Sequence, residues 1–207
     1  MPYEHKPYLL ILIAPSGGGK STICDEVLSR YKEFVYSISF TTRKVRGDEK
    51  DGVDYFFLDK AEFLKKRQAG VFIESALVHG KWYGTSKEFI ADQLAKGNNI
   101  ILDIDVHGAL NILDSGVECV SVFLLPPTQE VLRKRLEKRG TDDQATIELR
   151  MENAAREIAL IKRFDYLVIN DDLNAAVSDI EKIIRAEKLR VERYKEIKEN
   201  YYRSENA

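Results

Sequence analysis

Four short aliphatic runs recur along the chain, separated by longer stretches of mixed character. They are Leu9–Ile13, Asn99–Asp105, Cys119–Leu125 and Asp165–Asn170. Continuous apolar runs bounded by turn residues read as strands buried on both faces, the situation of a parallel sheet. Between them, apolar residues return every three or four positions over Ser86–Ala95, Val106–Leu113, Thr128–Lys138, Ile147–Ile161 and Leu173 to about Tyr194. That spacing predicts helices. A further helix is expected from Ser21, where Ile23, Val27 and Leu28 share a face. Strand and helix in alternation predict an α/β fold, an open parallel sheet with helices on both sides.

Two segments interrupt this rhythm. Between Phe34 and Gly84 the stretches "FVYSIS", "DYFFL", "GVFIESALV" and "KWYGT" surround a helical pattern at Lys60–Gln68. They predict a small, mostly antiparallel lobe inserted after the first helix. Arg139–Ala145 is a turn rich in Gly, Thr and Asp between two charged helices, the composition of a mobile lid. The expected organisation is one domain over 1–207, with a core of about 1–36, 86–127 and 160–207. The inserted lobe would take about 37–85 and the lid about 128–159. The tail from Arg185 is charged with weak apolar spacing, so a solvated, fraying terminal helix is expected there.

Composition narrows the reading. A chain of 207 residues with formal net charge −2 carries no global electrostatic case for nucleic acid or membrane binding. Cys24 and Cys119 fall in a helix and a strand and read as small buried apolar residues, not as a disulfide framework. The start lacks an apolar leader and no run approaches a membrane span, so a cytoplasmic location is expected. His5, His79 and His107 lie far apart and are read as structural or surface residues; no metal-ligand cluster and no Ser–His–Asp set is evident.

The candidate chemistry starts at "LLILIAPSGGGKSTICDEVL". Strand, glycine loop and helix form the context of a P-loop. Gly17, Gly18 and Gly19 let the backbone bend without a Cβ penalty. Successive N–H groups and the helix N-terminus then face one concavity that suits a polyphosphate. In such a loop Lys20 reaches the outer phosphates and Ser21 ligates Mg²⁺. Ala14 stands where the motif opens with glycine, at the strand exit.

Arg43 and Arg46 lie close together in "SFTTRKVRGDEKDGVDYFF". Paired arginines near a phosphate site point to bidentate capture of a second phosphate, and exposed loop arginines are the alternative. Glu74 occurs among Phe72, Ile73 and Ala76; alternation allows either a solvent-facing carboxylate or a buried recognition group, and the local pattern does not choose. Asp103 and Asp105 end an aliphatic run on one side of the expected strand, so either could face the site.

The patterns "SxSxTTRxxRxxExxGxxYxF", "FIExAxxxGxxYGT", "ILDIDxxG", "LPP", "RLxxRGTD" and "INDDL" follow the P-loop in order. From Leu9 to about Arg190 the chain closely resembles guanylate kinase, a nucleoside monophosphate kinase family with a core, a GMP-binding lobe and a lid. The resemblance implies transfer of the γ-phosphoryl of ATP to GMP, and also to dGMP, with Mg²⁺. It implies that Arg43, Arg46, Tyr55 and Tyr83 hold the GMP phosphate. Ser39, Glu74 and Thr85 would read guanine, with Asp103 and Asp105 beside them. Ala14, Pro15, Ser16, Gly17, Gly18, Gly19, Lys20, Ser21 and Thr22 would surround ATP phosphates, with Asn170 near the adenosine. Arg135, Arg139 and Arg150 resemble arginines that close over the transferring group.

Val45 replaces a proline usual in the family, and Asp48 a common glycine. A non-catalytic guanylate kinase-like interaction module and a kinase for another small acceptor are the competing expectations. Retention of Lys20, Ser21, Arg43, Arg46 and Glu74 argues against the first. Glu74 with Ser39 argues for guanine against the second. Nothing in the sequence sets the oligomeric state.

Overall fold

A computed structural model describes residues 4–78, 80–138, 143–197 and 201. Five strands form a fully parallel sheet: β1 (Leu9–Ile13), β2 (Phe34–Tyr36), β7 (Asn99–Asp103), β8 (Cys119–Leu125) and β9 (Tyr166–Ile169), in the order β2-β7-β1-β8-β9. Central β1 is buried at every position, as its unbroken aliphatic run requires. One face packs against α1 (Lys20–Arg30) and α7 (Leu173–Lys188) through Ile23, Val27, Val177 and Ile180. The other packs against α3 (Lys87–Ala95) and α4 (Val106–Asp114) through Ile90, Val106, Ala109 and Ile112. A smaller cluster joins α5 (Gln129–Lys138) to α6 (Gln144–Ile158) through Leu132, Leu136, Ile147 and Ala154.

A second, four-stranded sheet is ordered β4-β3-β6-β5, from β3 (Phe40–Thr41), β4 (Phe56–Phe57), β5 (Phe72–Val78) and β6 (Lys81–Ser86). Its β5–β6 and β3–β6 pairs are antiparallel and its β3–β4 pair is parallel. Helix α2 (Lys60–Gln68) lies against it through Phe63, stacked between Phe72 and Trp82.

Four expectations are corrected. "FVYSIS" is not one lobe strand: Phe34–Tyr36 pairs with β7 in the main sheet. The run Asn99–Asp105 stops being a strand at Asp103, because the Asp105 side chain caps α4 by accepting from the Gly108 N–H. Helix α6 starts earlier than Ile147, at an Asp143 cap, and ends at Ile158. The last helix ends at Lys188, and the segment beyond it is docked: Arg193 is 2% exposed, and the Lys6 N–H donates to its carbonyl. Its guanidinium meets Glu118 and Glu187 and lies over the Tyr8 ring. Those partners, at the N-terminal edge of the sheet, replace the solvent expected there.

Candidate active site

The loop after β1 takes its shape from glycine. Gly17 and Gly19 both have φ of 88°, in the left-handed region, and Gly18 donates its N–H to the Pro15 carbonyl at 2.8 Å. A Cβ on Gly19 would stand 2.5 Å from Asn170 Nδ2. Asn170 is buried behind the loop and donates to the Gly18 carbonyl at 2.7 Å. Arg135, from α5, donates to the Asn170 carbonyl at 2.8 Å, which ties α5 to the loop's support. Ala14 is buried in the core under the helix; a Cβ on Gly18 would lie 2.6 Å from its methyl. The methyl therefore fits because Gly18 carries no side chain. Helix α1 starts at Gly19 without a side-chain cap, so its first N–H groups face the loop.

At the sheet's C-terminal edge the Lys20 ammonium donates to the Ile104 carbonyl at 2.6 Å and pairs with Asp103 at 2.7 Å. Burial alone lowers the Lys20 pKa, but the charge and hydrogen bond of Asp103 outweigh it and hold the ammonium above its ordinary value. Ser21 Oγ lies 3.3 Å from the other Asp103 oxygen. The whole loop from Ala14 to Thr22 lines a cavity of about 270 Å³, with Val78, Asp105 and Glu157 on the opposite wall.

A second cavity, of about 280 Å³, lies between the two sheets and is lined by Ser39, Tyr55, Glu74, Tyr83, Asp103 and Asp105 among others. It shares Ser16, Lys20, Val78 and Asp105 with the first. Glu74 is 6% exposed and accepts from the Thr85 hydroxyl at 2.7 Å. Burial pushes its carboxyl up to about 7; the Thr85 bond pulls it down and the Asp105 charge pushes it up. The alternation question is thereby answered: Glu74 faces inward. A Cβ on Gly108 would come 2.8 Å from Glu74 Oε2, so that glycine lets α4 approach the carboxylate.

The arginine pair is placed differently from its description in sequence. Arg43 is buried behind the second cavity and does not line it. Its guanidinium grips Glu49 with two bonds, of 2.7 and 2.8 Å, and lies 5.0 Å from the Tyr55 ring centre. Arg46 is exposed on the same turn, with its N–H held by Glu49 at 2.8 Å. Val45 and Asp48 are exposed on that turn as well. Arg150 is half-buried on α6 and lines neither cavity. Arg139 lies outside the described residues, as does His79.

Two carboxylates went unassigned in the sequence. Glu49 was visible only as a motif letter. Glu157 lines the loop cavity, and its Oε2 is buried with no hydrogen-bond partner among the described residues. Burial, with the Asp105 charge added and that of Lys20 opposing, pushes its carboxyl up to about 7. Helical spacing alone gives no sign of it.

A phosphate loop joined through Lys20 to a buried carboxylate pocket is the geometry of transfer between two nucleotides. The sequence profile described as Guanylate kinase matches residues 6–187. The chain belongs to the guanylate kinase family. It is 46% identical over 189 residues to a guanylate kinase of Carboxydothermus hydrogenoformans, covering 91% of this chain and 93% of that one. It is 42% identical over 188 residues to one of Thermotoga maritima, covering 91% of each. The crystal structure of guanylate kinase from Anaplasma phagocytophilum superposes with a TM-score of 0.81 at 31% identity, covering 97% of this chain and 96% of that one. Guanylate kinases are transferases that pass the γ-phosphoryl group of ATP to GMP. Among the described residues no helix is long and apolar enough to cross a membrane, and no cluster of three or more His, Cys, Asp or Glu suits a metal ion.

Proposed function

We propose a division of labour for the guanylate kinase reaction in this chain. The loop Ala14–Thr22 holds the ATP phosphates on its N–H groups, and Lys20 neutralises the charge that shifts during transfer. Glu74, hydrogen-bonded by Thr85, accepts from guanine N1–H and N2–H, and Ser39 donates to O6. Tyr55 and Tyr83 line the path to the acceptor phosphate, with Arg43 and Arg46 supplying positive charge. Asp105 caps α4 and adds negative potential beside Glu74. The lobe of about 37–85 then serves as the GMP-binding part and about 128–159 as a lid. Arg135 and Arg150 act from the lid, and Asn170 braces the loop beneath the adenosine side. dGMP is an acceptor as well.

Mg²⁺ fits this site as a partner of the nucleotide. The Ser21 hydroxyl and an Asp103 oxygen, 3.3 Å apart, are hard oxygen donors of the kind that cation takes alongside phosphates and water. When bound it would withdraw charge from the phosphate oxygens. Ser21 and Asp103 would hold it, and Asp103 would at the same time keep Lys20 aimed at the loop.

One observation supports this reading: Lys20 stands in the walls of both cavities and Glu74 in the second, so a donor phosphate on the loop would adjoin a base-reading carboxylate. A coupled assay with ATP against GMP, AMP, CMP and UMP tests it. Turnover restricted to GMP is expected, and comparable turnover with AMP would refute the assignment of Glu74.

A further inference from the structure

The turn between β3 and β4 is built around one carboxylate. Glu49 Oε1 accepts from Arg43 Nη2 at 2.7 Å and Oε2 from Nη1 at 2.8 Å. Oε2 also accepts from the Arg46 N–H at 2.8 Å, and the Glu49 N–H returns a bond to the Arg46 carbonyl at 3.1 Å. The second hydrogen of Arg43 Nη1 goes to the Lys44 carbonyl at 2.8 Å. Gly47, with φ of 52°, lets the chain reverse so that Glu49 can reach both arginines.

A guanidinium has five N–H donors, arranged as an end fork on the two terminal nitrogens and a side fork on Nε with the outer Nη2 hydrogen. Glu49 occupies the end fork, and Lys44 takes the outer Nη1 hydrogen. The side fork is what these bonds leave over, on a group 5.0 Å from the Tyr55 ring centre and near the Tyr83 hydroxyl, which favours its charged form. Both tyrosines line the cavity that holds Glu74.

Building on the acceptor-site reading above, we propose that Glu49 is a positioning residue for the acceptor phosphate. By gripping the end of Arg43 and the backbone of Arg46, it turns the side fork of Arg43 toward a phosphate beside Tyr55 and Tyr83. A planar two-pronged donor loses its match to two phosphate oxygens when it rotates, so fixing its plane matters as much as supplying its charge. A carboxylate that merely occupied the arginine in place of phosphate would have the opposite effect on binding, since removing it would free the arginine.

Calorimetric titration with GMP and with guanosine separates these cases. Glu49→Gln should weaken GMP binding by about tenfold or more, the scale of a disrupted charge pair, and leave guanosine affinity within about twofold. Glu49→Asp, which keeps the charge, should recover part of the loss. In an Arg43→Ala background, Glu49→Gln should cost nothing further, because it acts through Arg43. Unchanged or tighter GMP binding by Glu49→Gln overturns the proposal, and so does an equal loss for guanosine, which marks a purely structural role. If Arg43→Ala itself binds GMP like the wild type, the phosphate reading of Arg43 falls, and this inference falls with it. A large loss in Arg43→Ala beside none in Glu49→Gln overturns the Glu49 role alone.

Discussion

Lys20 and Glu74 are opposite cases of a buried charge. Lys20 keeps its proton because Asp103 stands 2.7 Å away. Among the described residues Glu74 has only the Thr85 hydroxyl, and burial pushes its carboxyl up to about 7. Replacing Lys20 with Ala should cut kcat by about 10²–10³ or more, the scale for losing one aimed electrostatic group. GMP affinity should stay near the wild-type value, because Lys20 serves the donor; calorimetry beside a turnover assay checks both. As the proposed base reader, Glu74 would make recognition depend on pH. Its raised pKa means that the folded protein binds this proton more tightly than the unfolded chain does. The associated stability is full below the ordinary carboxylate range and is lost as pH rises through about 7. Guanine needs the ionised form, so guanosine affinity should rise from pH 6 to pH 8 and then level off, and Glu74→Gln should flatten the curve. Guanosine is the right probe, since a phosphomonoester has its own ionisation near pH 6. A flat wild-type profile would show that Glu74 does not carry the base. At this scale the sequence named Glu74 and Lys20 by type, but not their neighbours' effect. Burial by Gly108 and α4 comes from residues distant in the chain.

In the proposed reading the Ala14–Thr22 loop is the element on which ATP binding rests, and its glycines are not equivalent. Gly19→Ala places a methyl 2.5 Å from Asn170 Nδ2 at a φ of 88°. Gly97→Ala carries similar strain, φ 84°, with nothing within 4 Å. Gly97→Ala should therefore lose about 1–2 kcal/mol of stability, the cost of left-handed backbone for an L-residue, and keep its affinity for an ATP analogue. Gly19→Ala should lose about tenfold or more in that affinity as well, because Asn170 must leave the back of the loop that gathers phosphate. Denaturant melts and analogue titrations measure the pair; equal affinity in both would show that Asn170 does not set the loop's shape. Most elements were legible because their signals are local: the aliphatic run of β1, the periodicity of α4 and α5, the glycines before α1. Asp105 was misassigned to a strand although its own cue was present, an aspartate three residues before Gly108 at a helix start. That "FVYSIS" forms a strand only over Phe34–Tyr36, and in the main sheet, had no local cue, since its partner β7 lies far off in the chain.

Across the described residues, the segments around Lys6 and Arg193 meet at the N-terminal edge of the sheet, while the proposed site lies at its opposite edge. Arg193 joins them through Tyr8, Glu118 and Glu187, a contact between residues so far apart in sequence that periodicity could not reveal it. Arg193→Ala removes one cationic partner of the buried Glu187 carboxylate, leaving it the Tyr166 hydroxyl at 2.7 Å and Arg190 at 3.5 Å, and also loses the Glu118 pair and the Tyr8 contact; it should cost about 3 kcal/mol, the low end for breaking a buried pair. For a chain of this size that is roughly 6–12 °C in Tm. The specificity constant for GMP should be unchanged at 25 °C, and a loss of activity at unchanged Tm would contradict this separation. The central claim, that the lobe reads the base while the core holds the donor, concerns both halves at once. The measurement that meets it most directly is the specificity constant of wild type and Glu74→Gln for GMP, inosine monophosphate and AMP. Adenine presents N1 as an acceptor and lacks the N2 amine, so the wild type should favour GMP over AMP by about 10⁴ or more. In the variant GMP should fall most, inosine monophosphate less, and AMP least or not at all, which narrows discrimination. An equal loss on all three acceptors would contradict the account, since Glu74 would then be supporting the lobe's fold without reading the base.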